Sequence, residues 1–318
     1  MGGSIGIDLG GTNIAVGLVS DACDIVSRKD VKTMAPRSAR SITKTIVSLI
    51  RSLLNENKLT SKDLSSIGIG LPGIVDTKSG ELLFATNLKL SHVNFPELFH
   101  EYFPNLNVYV GNDADCAVLG EYLAGEAKNY ASALLLTLGT GVGGGLVVDG
   151  KIFRGGDGLG IEPGHIVVET DRAVKCACGQ WGCLETYASI QGLIRLTEEV
   201  LASEGDSVFL QSPYPLNAIR IFEAVRAKDP IAEKIHARYI GYLAAGIKTL
   251  VALYRPHIIL LGGGLSNASD LLIEPLEKAV RRDIFSGDIL PVPSIRVASL
   301  RNDAGIIGAA KLYRESSL

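Results

Sequence analysis

Between residues 165 and 183 the chain gathers His165, Cys176, Cys178 and Cys183, which are one of its five histidines and three of its five cysteines within nineteen residues. Three thiols and an imidazole in so short a stretch are the donor set of a closed tetrahedral zinc site. The chain must turn tightly between the donors, and Gly179 and Gly182 beside the cysteines supply backbone that can do so. The competing reading is three buried or disulfide-bonded cysteines. A disulfide requires an oxidising compartment. The chain opens as MGGSIGIDLGG, with neither the basic nor the long apolar segment of a secretory signal, so reduced thiols and a cytoplasmic location are expected. Four protein donors leave no open coordination position. The zinc is therefore expected to be structural, fixing Glu162, His165 and Glu185 relative to one another.

At 318 residues the chain is long enough for two domains, each with its own core. A net charge of −3 gives no electrostatic footprint for nucleic acid or an anionic membrane, so a small partner is expected. No uncharged apolar run reaches the roughly 18 residues of a membrane span. The 36 glycines collect as GG and GGG after apolar runs, where backbone approaches a ligand closely.

The order of elements predicts α/β architecture. SIGIDLGG at 4–11 is a strand ending in a glycine pair, and the segment after it continues as strand, turn and strand. Ile42, Ile46, Leu49, Ile50, Leu53 and Leu54 recur at helical spacing, giving one amphipathic helix that ends near Asn57. SSIGIGLPG at 65–73 and NVYVGN at 107–112 read as strands, and a helix with an acidic first turn follows from Asp113. ALLLTLGTGVGGGLVVDG at 133–150 reads as two strands flanking a glycine-rich turn. Helices are predicted near 186–204, 217–227 and 230–254, strands at 257–262 and 294–299, a helix from Ser266 and a C-terminal helix over 301–318. The expected domains are a small one over 1–112, joined by the C-terminal helix 301–318, and a large one over 113–300 with the zinc motif and the helical region. Strands alternating with helices, with polar or glycine residues at strand ends, fit two lobes facing a ligand cleft.

Asp8, Gly10, Gly11, Thr12 and Asn13 follow the first strand, where bare amides and a hydroxyl can approach phosphate oxygens. A tight hairpin turn would look the same. Two further glycine clusters strengthen the phosphate reading: Gly139, Thr140, Gly141, Gly143, Gly144 and Gly145, and later Gly262, Gly263 and Gly264.

DLGGTN at 8–13, GND at 111–113, LGTGVGGG at 138–145, EPGH at 162–165, CACGQWGCLE at 176–185 and LLGGGLS at 260–266 resemble, in order and over nearly the whole chain, the motif set of the ROK sugar kinases. The resemblance implies a two-lobed actin-like ATPase and sugar-kinase fold of the ribonuclease H-like kind, with a structural zinc knot. It implies an ATP-dependent kinase acting on glucose at the 6-hydroxyl, nearest to the bacterial glucokinase branch. Asp113 is then the general base and Asn112 a sugar contact, while Asp113 also suits a helix-capping role. Asp115, two residues on, is expected to face elsewhere. Glu162, His165 and Glu185 are similar to the family's sugar-contacting residues, His165 giving one ring nitrogen to zinc and the other to a hydroxyl. Solvated surface acids are the alternative for the two glutamates. Gly73 and Asn87 are further sugar-pocket candidates. Asp8 is expected to reach Mg²⁺ through water, with Gly10, Gly11, Thr12, Asn13, Thr140, Gly141, Gly263 and Gly264 around ATP. A homodimer or larger homo-oligomer is expected.

Pro163 in EPGH and Thr86 in TNL depart from the glucokinase pattern, which bears on the epimer selected. N-acetylmannosamine, fructose or another hexose is the alternative substrate. A sugar-sensing regulator without a DNA-binding domain is the alternative class.

Overall fold

The computed structural model describes residues 3–205, 207, 210, 215–285 and 287–316. Residues 1 and 2 of the expected small domain, and 317 and 318 of the expected C-terminal helix, lie outside the described residues. The chain begins with β1 (Gly3–Leu9), β2 (Asn13–Ser20), β3 (Ile25–Lys32) and α1 (Ala39–Glu56). Next come β4 (Leu64–Leu71), β5 (Ile74–Asp76), β6 (Glu81–Ala85), β7 (Leu90–Asn94), α2 (Phe95–His100), β8 (Val108–Asn112) and α3 (Asp113–Ala124). β9 (Ser132–Leu138), β10 (Val142–Val148) and β11 (Lys151–Ile152) precede α4 (Glu185–Ala188), α5 (Ile190–Glu204), α6 (Ala218–Arg226) and α7 (Pro230–Tyr254). β12 (Ile258–Gly262), α8 (Ser269–Asp283), β13 (Ser294–Val297) and α9 (Asp303–Ala310) follow.

Two five-stranded sheets share one plan. Their orders are β3-β2-β1-β4-β8 and β11-β10-β9-β12-β13. In the first, β1, β2 and β3 are antiparallel while β1, β4 and β8 run parallel. In the second, β10 and β11 are antiparallel and β12 and β13 parallel. The mixed α/β, two-sheet expectation is met. The chain divides into a first unit of Met1–Leu135, Gly145–Ile161 and Ala298–Leu318, and a second of Leu136–Gly144 and Glu162–Val297.

In the first unit, Ser38 caps α1 by accepting the Ser41 amide at 3.3 Å, and the helix buries Ile42, Ile46, Ile50 and Leu53 on the apolar strands. α9 lies on β1 and β4. A Cβ on Gly6 would overlap the Ile306 carbonyl, one on Gly68 the Ala309 carbonyl and one on Gly308 the Cys116 carbonyl, so only glycine lets this helix sit so deep. The fully buried Glu121 of α3 accepts the Leu300 amide at 2.7 Å and the Glu126 amide at 3.0 Å, tying the approach to α9 onto α3.

In the second unit, Asp229 caps α7 through the amides of Ile231 and Ala232, with Pro230 opening the helix. α8 carries Pro275 in its interior. Proline has no N–H, so the Leu271 carbonyl loses its helical donor, and His236 of α7 donates Nε2–H to that oxygen at 2.7 Å. The expected helix from Ser266 begins instead as a 3-10 turn over Gly264–Ala268 and becomes α-helical at Ser269. The expected C-terminal helix is shorter than predicted: α9 stops at Ala310 and a 3-10 turn covers Leu312–Ser316. Gly143, Gly144 and Gly145 belong to β10 and not to a turn. The antiparallel meander β5-β6-β7 was not anticipated. Among the described residues no helix is long and apolar enough to cross a membrane.

Candidate active site and metal centre

The cysteine segment folds as a small knuckle of paired backbone. Val168 N–H donates to the Gly182 carbonyl at 2.8 Å, Leu184 N–H to Ile166 at 2.8 Å and Cys176 N–H to Gln180 at 2.7 Å. Gly179 and Gly182 adopt φ of 98° and 79°, conformations costly for other residues. This pairing brings the donor atoms of His165, Cys176, Cys178 and Cys183 within 4.8 Å of one another. Cys178 and Cys183 Sγ are 3.7 Å apart, and Cys176 Sγ is 3.7 Å from His165 Nδ1. A tetrahedral zinc with bonds of about 2.3 Å to sulfur separates its sulfurs by about 3.8 Å, so spacing and donor chemistry both fit that ion. Burial, reinforced by the neighbouring sulfurs, pushes the Cys183 thiol up to about 12. A divalent cation reverses this by stabilising thiolates.

Glu185 opens α4 directly after the knuckle. Its Oε1 lies 3.6 Å from Cys176 Sγ, and its Oε2 accepts the Val142 amide at 3.0 Å. The second glycine turn is thereby tied to the metal-site residues. Gly139 N–H donates to the Gly141 carbonyl at 3.0 Å, closing that turn, and a Cβ on Gly141 would strike Glu185 Oε2. Gly263, at φ 81°, packs on the Leu138 carbonyl, so the second and third glycine clusters are neighbours, with Thr140 exposed at the turn and Gly264 opening the 3-10 turn after it. Glu162 is exposed and precedes the Pro163–His165 turn. Desolvation raises its carboxyl above the usual range, with His165 opposing and Glu185 adding to the rise.

In the first unit Asn112 ends β8 and caps α3. Its Oδ1 accepts the amides of Ala114 at 2.8 Å and Asp115 at 3.2 Å, and its Nδ2 donates to the Gly73 carbonyl at 3.0 Å. One Nδ2 hydrogen remains for an external acceptor. Asp113 follows as the first residue of α3, an acidic first-turn residue whose Oδ1 lies 2.8 Å from the Ala114 amide, while the cap itself is Asn112. Gly10 N–H donates to the Asn13 carbonyl at 2.9 Å, making the first glycine turn, with Thr12 and Asn13 exposed. A Cβ on Gly11 would lie 2.9 Å from Asn87 Cβ, so the structure sets Asn87 against that turn and Gly73 against Asn112.

Asp8 is the penultimate residue of β1, and a Cβ on Gly305 of α9 would approach its carboxyl at 3.2 Å. Burial raises the Asp8 carboxyl from 3.8 to about 6, with Arg28 lowering it and Asp30 raising it. Arg28 is itself paired with Asp30 and Asp303. Between these two pH values the folded chain holds a proton that the unfolded chain has released, so stability falls as pH rises through the window. Ionised Asp8 then costs roughly 2–3 kcal/mol above pH 6. Asp8→Asn is accordingly expected to raise Tm more at pH 7 than at pH 4 in thermal scans. A Tm difference independent of pH would contradict the assignment.

Asp115, Arg154 and Glu315 escaped the sequence reading. Asp115 was expected to face elsewhere; its carboxylate is buried and paired with Arg154. An unaccompanied arginine before the glycine-rich GGDGLG was the available signal.

The ROK family pattern matches residues 4–316. The chain is 34% identical to a glucokinase of Streptomyces coelicolor over 99% of its own length and 98% of that protein's. It is 32% identical to an N-acetyl-D-glucosamine kinase of Pectobacterium atrosepticum, over 97% of this chain and 98% of that one. The structure of a ROK family glucokinase from Streptomyces griseus in complex with glucose and AMPPNP superimposes with a TM-score of 0.79, at 33% identity and with 98% and 99% of the two chains covered. A family pattern that spans the chain, relatives covered end to end and a shared fold agree with the knuckle and glycine turns described above, and the chain belongs to the ROK family.

Proposed function

We propose that this chain is an ATP-dependent hexose kinase that phosphorylates glucose on its 6-hydroxyl, with Asp113 as general base. The observation that carries the reading is the joint anchoring of His165 and Glu185 on Cys176. His165 turns Nδ1 to the sulfur at 3.7 Å, which leaves Nε2 for a second partner, and Glu185 is fixed by the same sulfur and by the Val142 amide. Side chains held on both sides are preorganised for a polyhydroxylated ligand.

In this reading the candidate sugar contacts are Gly73, Asn87, Asn112, Asp113, Glu162, His165 and Glu185. Asn112 donates its remaining N–H to a hydroxyl. Asp113 takes the proton as the O6–H bond breaks; O6 bonds to the γ-phosphorus and the bond to the β-phosphate oxygen breaks, releasing ADP. Asp8, Gly10, Gly11, Thr12, Asn13, Thr140, Gly141, Gly263 and Gly264 are the nucleotide contacts, their amides donating to phosphate oxygens. Mg²⁺ held through water by Asp8 would neutralise charge on the transferring phosphoryl group. Zinc in the four-donor site would hold the knuckle and supply no Lewis-acid step.

The test is an ADP-release screen across glucose, mannose, fructose, N-acetylglucosamine and N-acetylmannosamine. Glucose is expected to give the highest kcat/KM. A site that hydrogen-bonds a hydroxyl rejects an analogue lacking it by about 10⁴. A clearly higher value for fructose or an N-acetyl sugar would overturn the glucose assignment, and turnover of none would overturn the kinase assignment.

A further inference from the structure

We propose that Asp115 and Arg154 are positioning residues for Asp113, with Glu315 gripping the guanidinium from its far side. This rests on the reading of Asp113 as the base. Asp115 stands two residues after Asp113 in the first turn of α3, and its amide donates to Asn112 Oδ1 at 3.2 Å, so it shares the cap that starts the helix. Its Oδ2 is 3.6 Å from Arg154 Nε, while Arg154 Nη1 donates to Glu315 Oε2 at 3.2 Å. Glu315 Oε2 also accepts the Ile152 amide at 3.2 Å, which anchors it to β11.

The three side chains are only 4%, 15% and 12% exposed for Asp115, Arg154 and Glu315. Charges this dry are a poor source of stability, because desolvation offsets their attraction and an apolar set of equal volume does as well or better. What such a set supplies is a fixed arrangement. The packing around Asp115 agrees. A Cβ on Gly145 of β10 would sit 3.0 Å from the Ala114 carbonyl and 3.1 Å from Asp115 Oδ1, and one on Gly160 3.8 Å from Asp115 Oδ2. The first turn of α3 is thus seated on β10 on one side and enclosed by the Arg154–Gly160 loop on another. At 3.6 Å the Asp115–Arg154 contact is longer than a charge-assisted hydrogen bond, and the buried Arg154 Nε has no hydrogen-bond partner among the described residues. It is the contact in the set with most to gain by shortening when Asp113 takes up its working position.

The test compares kcat, both KM values and Tm for Arg154→Met, Asp115→Asn and the triple variant that combines these with Glu315→Gln, with Asp113→Asn measured first. Arg154→Met removes the cation that the buried Asp115 and Glu315 carboxylates both face, so Tm is expected to fall; kcat is expected to drop tenfold to about a hundredfold, the scale of a misplacement near 1 Å, with KM for ATP within about twofold. The triple variant carries none of the three buried charges, so it keeps the test open if Arg154→Met does not fold. Its Tm is expected to return towards the parent while kcat stays low. If kcat returns with Tm, the pair is merely structural and the proposal is overturned. Parent-like kcat in Asp113→Asn would remove the residue being positioned and overturn both readings, whereas loss in Asp113→Asn with parent-like kcat in the triple variant overturns only this one.

Discussion

Asp113→Asn is expected to lower kcat by about 10² to 10⁴, the usual contribution of a general base, while the dissociation constant for hexose changes only a few-fold. The substitution is well suited to the site. α3 is capped by Asn112, whose Oδ1 accepts the Ala114 and Asp115 amides, and asparagine at 113 keeps an acceptor near the Ala114 amide, so the start of α3 survives while basicity is lost. ADP release measures the first quantity and calorimetric titration of hexose the second. A kcat near that of the parent would sink the assignment; lost sugar affinity with unchanged kcat would move Asp113 from catalysis to binding.

Freshly purified protein is expected to carry about one zinc per chain, and Cys178→Ser to lose it. Cys178 is the exposed member of the four, so its substitution opens no cavity and any destabilisation reports the ion. A loss of 2 kcal/mol or more would lower Tm by at least about 4 °C in a domain of this size. Metal analysis of protein prepared without chelators, paired with thermal scans of parent and variant, decides the matter. Absent zinc with a Tm indifferent to chelator would contradict it.

The parts of the fold legible beforehand were those with a local physical cause. The apolar spacing of Ile42, Ile46, Ile50 and Leu53 marks α1, and the runs ending at Leu9, Leu71 and Asn112 mark strands of the first sheet. β5, β6 and β7 were missed because they are short and their burial alternates weakly, Phe84 and Ile74 being paired yet exposed. Gly143 to Gly145 looked like turn because sequence does not reveal that a strand residue lacks a side chain to make room for a helix, as Gly145 does for α3. The knuckle was legible since its donors are close in sequence. The partnership of Asp115 with Arg154 was not, because thirty-nine residues separate them and neither carries a spacing that names the other.

The seat of α9 also fixes an order of events during synthesis. Gly6 and Gly68 present bare backbone to Ile306 and Ala309, so no side chain made earlier can stand in for that helix. The first unit takes its β3-β2-β1-β4-β8 sheet from residues before Leu135, yet it is completed by α9, which lies after Ala298 and is made later. Every residue of the second unit lies before Ala298. At 5–20 residues per second the wait from Leu135 to Ala310 is roughly 10–35 s, during which the apolar faces of β1 and β4 have no helix to cover them. β1 and β4 are therefore the strands of the first unit whose cover arrives last, and a nascent chain arrested before Asp303 would leave their apolar faces open.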